Sequence, residues 1–257
     1  SALQTDRKVR SISSFISKKI ANKLKDLLKN NPEFYAEIWD SISAFVKIGV
    51  MEDEKFSDLA LNSIIFETKL GLNLDKEKEI EKKFLVKFND KFFTTLENYA
   101  NRNKNDDDNK IIYCTDEISQ SNALNLWLSN NKEVIKADPL IDAQFIPWLE
   151  SQNEKYKFQR VDSEINDDLE KDSPEIVDKD GKSNTENIKE IITKALNNEK
   201  VTVKVQSLKN NNAPPALILL PEQMRRINDM GAYMEQKIPG LPEYHVLLVN
   251  KDHPLIN

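Results

Sequence analysis

Residues 110–114 read Lys-Ile-Ile-Tyr-Cys (KIIYC), a short apolar run that predicts a β-strand. Similar patterns predict two further strands, at 133–137 and 156–161, and helices between the strands, at 119–129 and 139–150. Strands that alternate with helices are typical of a parallel sheet with crossover helices. We therefore predict a small parallel α/β unit over residues 110–162.

The residues before this unit show the spacing of amphipathic helices. Apolar residues recur every three or four positions across 6–30, and Pro32 begins a second helix. The buried positions predicted for the second helix are Phe34, Tyr35, Ile38, Trp39, Ile42, Phe45 and Val46. A third helix is predicted over 54–67, and no element is assigned to 68–93. Three helices with short connections predict a helical bundle within residues 1–109.

A strongly acidic segment follows the α/β unit. Residues 162–190 contain eleven acids and four lysines, a net charge of −7, with few large apolar side chains. Such a composition is typical of an exposed, poorly ordered segment. We therefore predict an acidic linker over 163–183. Residues 184–257 follow it, and one more helix pattern and three strand patterns predict a small α+β domain there.

The composition of the 257-residue chain excludes several classes of protein. Hydrophobic residues make up 39% and charged residues 31%, which is typical of a globular protein. No apolar run reaches the roughly 18 residues of a membrane span, so no membrane partner is expected. The single cysteine, Cys114, excludes an intrachain disulfide and fits a reducing compartment. Residues 6–30 carry a net charge of +6, but their lysines alternate with an apolar stripe, so we predict a solvated face and no nucleic-acid partner.

Residue patterns that carry catalysis are absent from the sequence. The two histidines, His245 and His253, lack metal-ligand spacing, so no metal site is predicted. No G-x-S-x-G, Walker or G-x-G-x-x-G motif occurs, and five glycines leave little material for a phosphate-binding loop. Cys114 is interpreted as a small hydrophobe within a strand, and a nucleophilic role is the third hypothesis for the function of this protein.

Two stretches hold apolar residues that a core does not obviously need. Residues 224–235 (MRRINDMGAYME) contain three of the four methionines, at helical spacing. Methionine fills gaps in cores and also forms adaptable binding surfaces, and both interpretations stay open. In residues 141–150 (IDAQFIPWLE), Phe145, Ile146, Trp148 and Leu149 exceed one buried face. Some of these side chains are expected to be exposed for binding, unless all of them pack on the sheet.

Several segments together resemble the heat-shock protein 90 (HtpG) chaperone family. They are LQTDRKVRSISSFISKKIANKLKDL (3–27), NPEFYAEIWDSISAFVKIGVMED (31–53), TTLENYANRNKNDDDNKIIYCTDE (94–117), DPLIDAQFIPWLE (138–150), YKFQRVD (156–162) and NKDHPLI (250–256). The family patterns at these places include K-x-G followed by E-D, D-x-I-D-E, and N-P-x-H-P-L. The resemblance covers nearly the whole chain and implies a mixed α/β (α+β) fold: a three-helix bundle, a small α/β unit and a small C-terminal domain.

The resemblance implies a cytoplasmic, stress-response chaperone that uses ATP and Mg²⁺ and binds unfolded or partly folded clients. The family's nucleotide-binding domain and its C-terminal dimerisation helices have no counterpart here, so we expect a fragment, truncated before those helices, without a cofactor of its own and not itself an enzyme. Gln4 matches the glutamine of the family's catalytic loop, whereas Ser1-Ala2 stand in place of its arginine. The implied client-binding residues are Met224, Ile227, Met230, Tyr233 and Met234, with Phe145 and Trp148 at a second patch. The alternative hypothesis is a structural scaffold that binds fixed protein partners without an enzymatic role.

Overall fold

The structure, a computed structural model, describes residues 2–71, 86–103, 110–163, 169–171, 182–210, 213–221, 224–227, 231 and 244–256. Its helices are α1 (Ala2–Asn30), α2 (Pro32–Glu52), α3 (Glu54–Ala60), α4 (Leu96–Arg102), α5 (Ser121–Ser129), α6 (Asp142–Gln152) and α7 (Asn184–Leu196). Its strands are β1 (Ile65–Lys69), β2 (Val86–Phe88), β3 (Lys91–Thr95), β4 (Lys110–Cys114), β5 (Val134–Lys136), β6 (Lys157–Arg160), β7 (Val201–Gln206), β8 (Ala216–Leu219) and β9 (His245–Asn250). No helix in these ranges is long and apolar enough to span a membrane.

The first sheet has six strands in the order β2-β3-β1-β5-β4-β6. Strand β4 pairs in parallel with both β5 and β6, so the predicted parallel α/β unit is confirmed. Strand β1 joins β5 in antiparallel pairing, and β3 and β2 extend the sheet beyond it. The sheet therefore includes strands from both sides of residue 109, and the mixed α+β class is confirmed.

The third helix predicted before β4 is too long. The third helix ends at Ala60, and residues 65–69 form β1, because Ile65 and Phe66 pair with Thr95 and Thr94 of β3. Residues within 68–93, to which no element was assigned, form the β2–β3 hairpin. Its turn is Asn89-Asp90, with φ of 47° and 60°, the left-handed conformation that a two-residue hairpin turn requires.

The two faces of the first sheet bury different clusters of side chains. One face packs against α2, α3 and α6, and this first cluster includes Trp39, Ile65, Phe66, Phe145 and Leu149. The other face packs against α5 and the second sheet, and this second cluster includes Ile112, Cys114, Trp127, Leu169, Leu217 and Leu248. Successive residues of β4 alternate between the clusters, as expected for a strand buried on both faces.

The helices are less buried than their patterns indicated. In α2, Tyr35, Ala36, Trp39, Val46 and Val50 face the core, but Phe34 and Phe45 are 42% and 77% exposed, so their predicted burial is wrong. In α1, Ala21 and Leu24 are buried against the bundle. Five apolar residues earlier in the same helix are 47–62% exposed: Val9, Ile12, Phe15, Ile16 and Ile20.

A buried polar network holds α4 to the sheet around Glu133, which is 5% exposed. Its carboxylate accepts hydrogen bonds from Arg102 at 2.6 and 3.0 Å and from the Thr68 hydroxyl at 2.9 Å. The Tyr99 hydroxyl donates to the Glu133 carbonyl oxygen at 2.9 Å. Buried ions are tolerated only when they are paired and hydrogen-bonded, as they are here.

The second sheet has the order β7-β9-β8, with β7 parallel and β8 antiparallel to β9. Helix α7 begins with a capping box between Ser183 and Glu186 and packs on β7. These elements match the predicted helix and three strands of residues 184–257. The prediction of an exposed acidic linker is wrong at Leu169, which is fully buried in the second cluster. The domain boundaries themselves stay predictions.

Candidate functional site

Residues 224–227 form a helical turn that two arginines fix to the first sheet. The guanidinium of Arg225, which is 2% exposed, lies 5.5 Å from the ring centroid of Tyr113, a cation–π contact. Arg226 forms a two-pronged ion pair with Glu150 of α6, at 2.5 and 3.1 Å. Arg226 also reaches the carbonyl oxygen of Phe158 at the β6 edge. The turn therefore has a fixed position against both α6 and β6.

The apolar side chains of this turn are only partly covered. Ile227 is 36% exposed and Met224 is half-buried. An apolar surface held between buried arginine contacts is open to a partner without having to unfold. The other three residues implied by the resemblance, Met230, Tyr233 and Met234, lie outside the described residues.

The second predicted patch is mostly buried. Phe145 has no exposed surface, so its predicted exposure is wrong. It stacks on Trp148 with ring centroids 5.8 Å apart, and Trp148 is half-buried against the first cluster. Helix α6 lies flat on the sheet and turns Phe145, Ile146 and Leu149 inward. Of the two aromatic side chains of this patch, Phe145 is buried and Trp148 reaches solvent.

Cys114 and His253 have structural surroundings. Cys114 is 1% exposed, and burial raises the pKa of its thiol to about 11. The His253 ring accepts a hydrogen bond from the backbone N–H of Leu255 and so stabilises a turn. Gln4 lies within α1, its side chain is outside the described residues, and its role stays a prediction.

Cys114 is expected to resist alkylation in the native protein, because only the thiolate is nucleophilic and burial disfavours it. Iodoacetamide at neutral pH should label the native chain at least about a hundredfold more slowly than the chain in denaturant. A Ser41→Cys variant, with its new thiol on an exposed helix position, should take up one label per chain rapidly. Rapid native labelling of the parent chain would instead favour the nucleophile hypothesis.

Gly49 and Gly71 are not parts of a phosphate-binding loop. Gly49 packs against the ring of Phe56 and Gly71 against the backbone of Asn131, so neither opens a loop around a phosphate. No group of three or more His, Cys, Asp or Glu side chains in the described ranges is placed to hold a metal ion. No nucleotide chemistry is therefore assigned to these residues.

Comparison with known proteins places the chain in a family. A family model described as Hsp90 protein matches residues 1–257. The chain therefore belongs to the Hsp90 family of heat-shock proteins. The chaperone protein HtpG of Porphyromonas gingivalis is 30% identical to it over 268 residues, which are 100% of this chain and 36% of that protein. The HtpG of Bacteroides fragilis strain 638R is 29% identical over 269 residues, with the same coverage.

The chain thus spans about a third of the length of these curated relatives. Among solved structures, the middle domain of a heat shock protein from Plasmodium falciparum is similar, with a TM-score of 0.45 and 18% identity. That similarity covers 62% of this chain and 60% of the other.

Proposed function

We propose that this chain is part of an ATP-dependent, cytoplasmic molecular chaperone that binds exposed apolar surface on unfolded or partly folded proteins. The observation that carries the proposal is the match of the Hsp90 family model to residues 1–257. The relatives named above are chaperones, and because the chain spans 36% of their length, the activity proposed is that of the larger protein.

Within the described residues, the helical turn 224–227 supports client binding best. Its half-buried Met224 and exposed Ile227 offer apolar contact without fixed hydrogen-bond geometry, which suits partners that share only exposed hydrophobicity. We propose that Met230, Tyr233 and Met234 extend this surface. Trp148 is a second contact, because part of its side chain lies in solvent beside the buried Phe145.

The packing between the two sheets supports a role in relaying movement. The second cluster joins Trp127 and Val161 of the α/β unit to Leu217 and Leu248 of the second sheet. The ion pair between Arg226 and Glu150 connects the proposed client-binding turn to α6. A rearrangement of the first sheet therefore moves the turn with it, as a chaperone cycle driven from another domain requires.

Met224→Ser combined with Ile227→Ser is expected to weaken the binding of an unfolded client about tenfold. Losing roughly 1.4 kcal/mol of apolar contact changes Kd by that factor, and the two side chains are only partly buried, so the Tm should change little. Binding is measured by fluorescence anisotropy with a labelled, permanently unfolded polypeptide. A large fall in Tm would show that the two side chains belong to the core.

Ile191→Ser is a matched control, because Ile191 is 67% exposed on α7, a different element. This control should bind the client as the parent chain does, and an equal loss in both variants would contradict a defined site. Binding to one folded partner, but to none of several unrelated unfolded polypeptides, would favour the scaffold hypothesis.

A further inference from the structure

A cleft of about 260 Å³ lies at the carboxyl ends of β4 and β5. It is enclosed by α2, β1 and β3 and by the start of α6, and residues 136–138 form its rim where β5 ends. We call it the switch cleft, because the connections after β4 and β5 leave to opposite faces of the sheet there. It is separate from the turn at 224–227, and no step of the proposed client binding uses it.

The position of the switch cleft follows from the topology of the first sheet. After β4 the chain enters α5, whose Leu124 and Trp127 pack in the second cluster. After β5 it enters α6, whose Phe145 and Leu149 pack in the first cluster, on the opposite face. Neighbouring parallel strands whose connections leave to opposite faces open a crevice at their carboxyl ends. Open α/β sheets bind ligands in such crevices.

The floor of the switch cleft is apolar, with a buried ion pair at its base. Trp39, Phe66 and Phe93 contribute buried aromatic surface. Lys47 lies 4.5 Å from the centroid of the Phe66 ring and donates a hydrogen bond to Asp142 Oδ2 at 2.8 Å. Asp142 is 1% exposed, and burial raises the pKa of its carboxyl group against the opposing charge of Lys47. Its Oδ1 lies 2.6 Å from the same Nζ but accepts no hydrogen bond within the described residues.

Each of the three lysines around the cleft forms an ion pair with an acidic residue. Lys47 pairs with Asp142, Lys91 with Glu67 at 3.0 Å, and Lys136 with Glu117 at 3.4 Å. Each of the three ammonium groups therefore has its charge balanced by a neighbouring carboxylate.

Two carboxylates of the cleft remain available to a ligand. Asp40 forms no ion pair or hydrogen bond with another described residue. Asp138 uses Oδ1 to stabilise the turn before α6, accepting from the backbone N–H groups of Leu140 and Ile141. The acidic residues of the cleft also affect a neighbouring lysine. The pKa of Lys91 is raised by its hydrogen bond to Glu67 and by the charges of Glu67 and Asp40. The cleft therefore offers two carboxylates, Asp40 and Asp138, that have no lysine partner among the described residues.

We propose that the switch cleft binds an organic cation, an alkylammonium or alkylguanidinium group such as the end of a lysine or arginine side chain. The aromatic floor covers the alkyl stem, and Asp40 and the second carboxylate oxygen of Asp138 accept the N–H groups of the head. The volume lies below the roughly 300–1,000 Å³ of pockets that hold drug-sized ligands, so a small amine or a single side chain fits.

The test is a calorimetric titration of the whole chain with agmatine, an alkylguanidinium, and with glutarate, a dicarboxylate of similar length. Agmatine is expected to bind and glutarate is not. A second pair of probes, acetylated tripeptides with arginine or with uncharged citrulline at the centre, separates the two sources of the ligand. Binding of the arginine peptide as well assigns the cleft to a partner's side chain, whereas binding of agmatine alone assigns it to a small amine.

Asp40→Asn is expected to weaken agmatine binding about five- to tenfold, because a charge-assisted hydrogen bond becomes a neutral one. Asp58→Asn is the matched control, since it makes the same change at another exposed helix position and should leave binding unchanged. Equal affinities for agmatine and glutarate, equal effects of the two variants, or no agmatine binding by the parent chain would each overturn the proposal. Both aspartates are exposed, so the variants should keep the parent Tm.

Discussion

Glu133→Ala is expected to lower the free energy of unfolding by about 3–5 kcal/mol, because it removes the carboxylate that neutralises the buried guanidinium of Arg102. The guanidinium of Arg102 donates two hydrogen bonds to the Glu133 carboxylate, and its side chain is only 10% exposed. The substitution also removes an acceptor from the Thr68 hydroxyl. Urea denaturation followed by tryptophan fluorescence measures the loss.

Two further variants identify the cause of that loss. Glu199→Ala makes the same change at an exposed turn and should alter the stability by no more than about 0.5 kcal/mol. Glu133→Leu combined with Arg102→Met removes both charges, so it should be more stable than Glu133→Ala. If Glu133→Ala behaves like the Glu199 control, the network does not stabilise the fold.

Leu169→Ala is expected to cost about 2–5 kcal/mol, the range for a leucine whose removal leaves a cavity in a core. Leu169 has no exposed surface, although its neighbours in sequence are strongly acidic. Two backbone hydrogen bonds hold residues 169–171 to the segment after β7: the Lys171 N–H donates to the Ser207 carbonyl oxygen and the Lys209 N–H to that of Leu169. Because Leu169 packs where the two sheets meet, the variant should also loosen their association.

Denaturation gives the size of this effect, and limited trypsin digestion shows its location. Cleavage after Lys171 should become faster in the Leu169→Ala variant, because its backbone hydrogen bond is then less protected. Leu140→Ala is the matched control, since Leu140 is 68% exposed and its truncation leaves no cavity. Equal stabilities of the two leucine variants would show that the acidic segment is not anchored at Leu169.

The elements that the sequence predicts well are those whose pattern is local and regular. Strand β4 was predicted at its observed residues, and the neighbouring helices and strands within a few residues, because apolar runs alternate there with helical spacing. Helix α7 was predicted for the same reason, and in the structure it begins with a capping box at Ser183. Such signals lie within a dozen residues and do not depend on the rest of the chain.

The features that were missed depend on contacts between distant residues. The apolar residues 64–66 fit a helix as well as a strand, and only pairing with β3 makes them β1. The Asn89-Asp90 turn is a local signal that could have identified the hairpin. In the candidate site, the family resemblance implied that Met224 and Ile227 contact clients, but the sequence could not show that α6 turns Phe145 into the core. The residues that line the switch cleft are even further apart in the sequence. Lys47 and Asp142, which form its buried ion pair, are separated by 95 residues.

The exposed apolar residues at the start of α1 affect how the protein can be handled. Val9, Phe15 and Ile20 form an exposed apolar ridge along α1, whereas Ala21 and Leu24, later in the same helix, are buried. At the concentrations used for crystallisation or NMR, such ridges from separate molecules will adhere to one another. Exchanging Val9, Ile12, Phe15 and Ile16 for glutamine would keep the helix while giving a sample that stays dispersed.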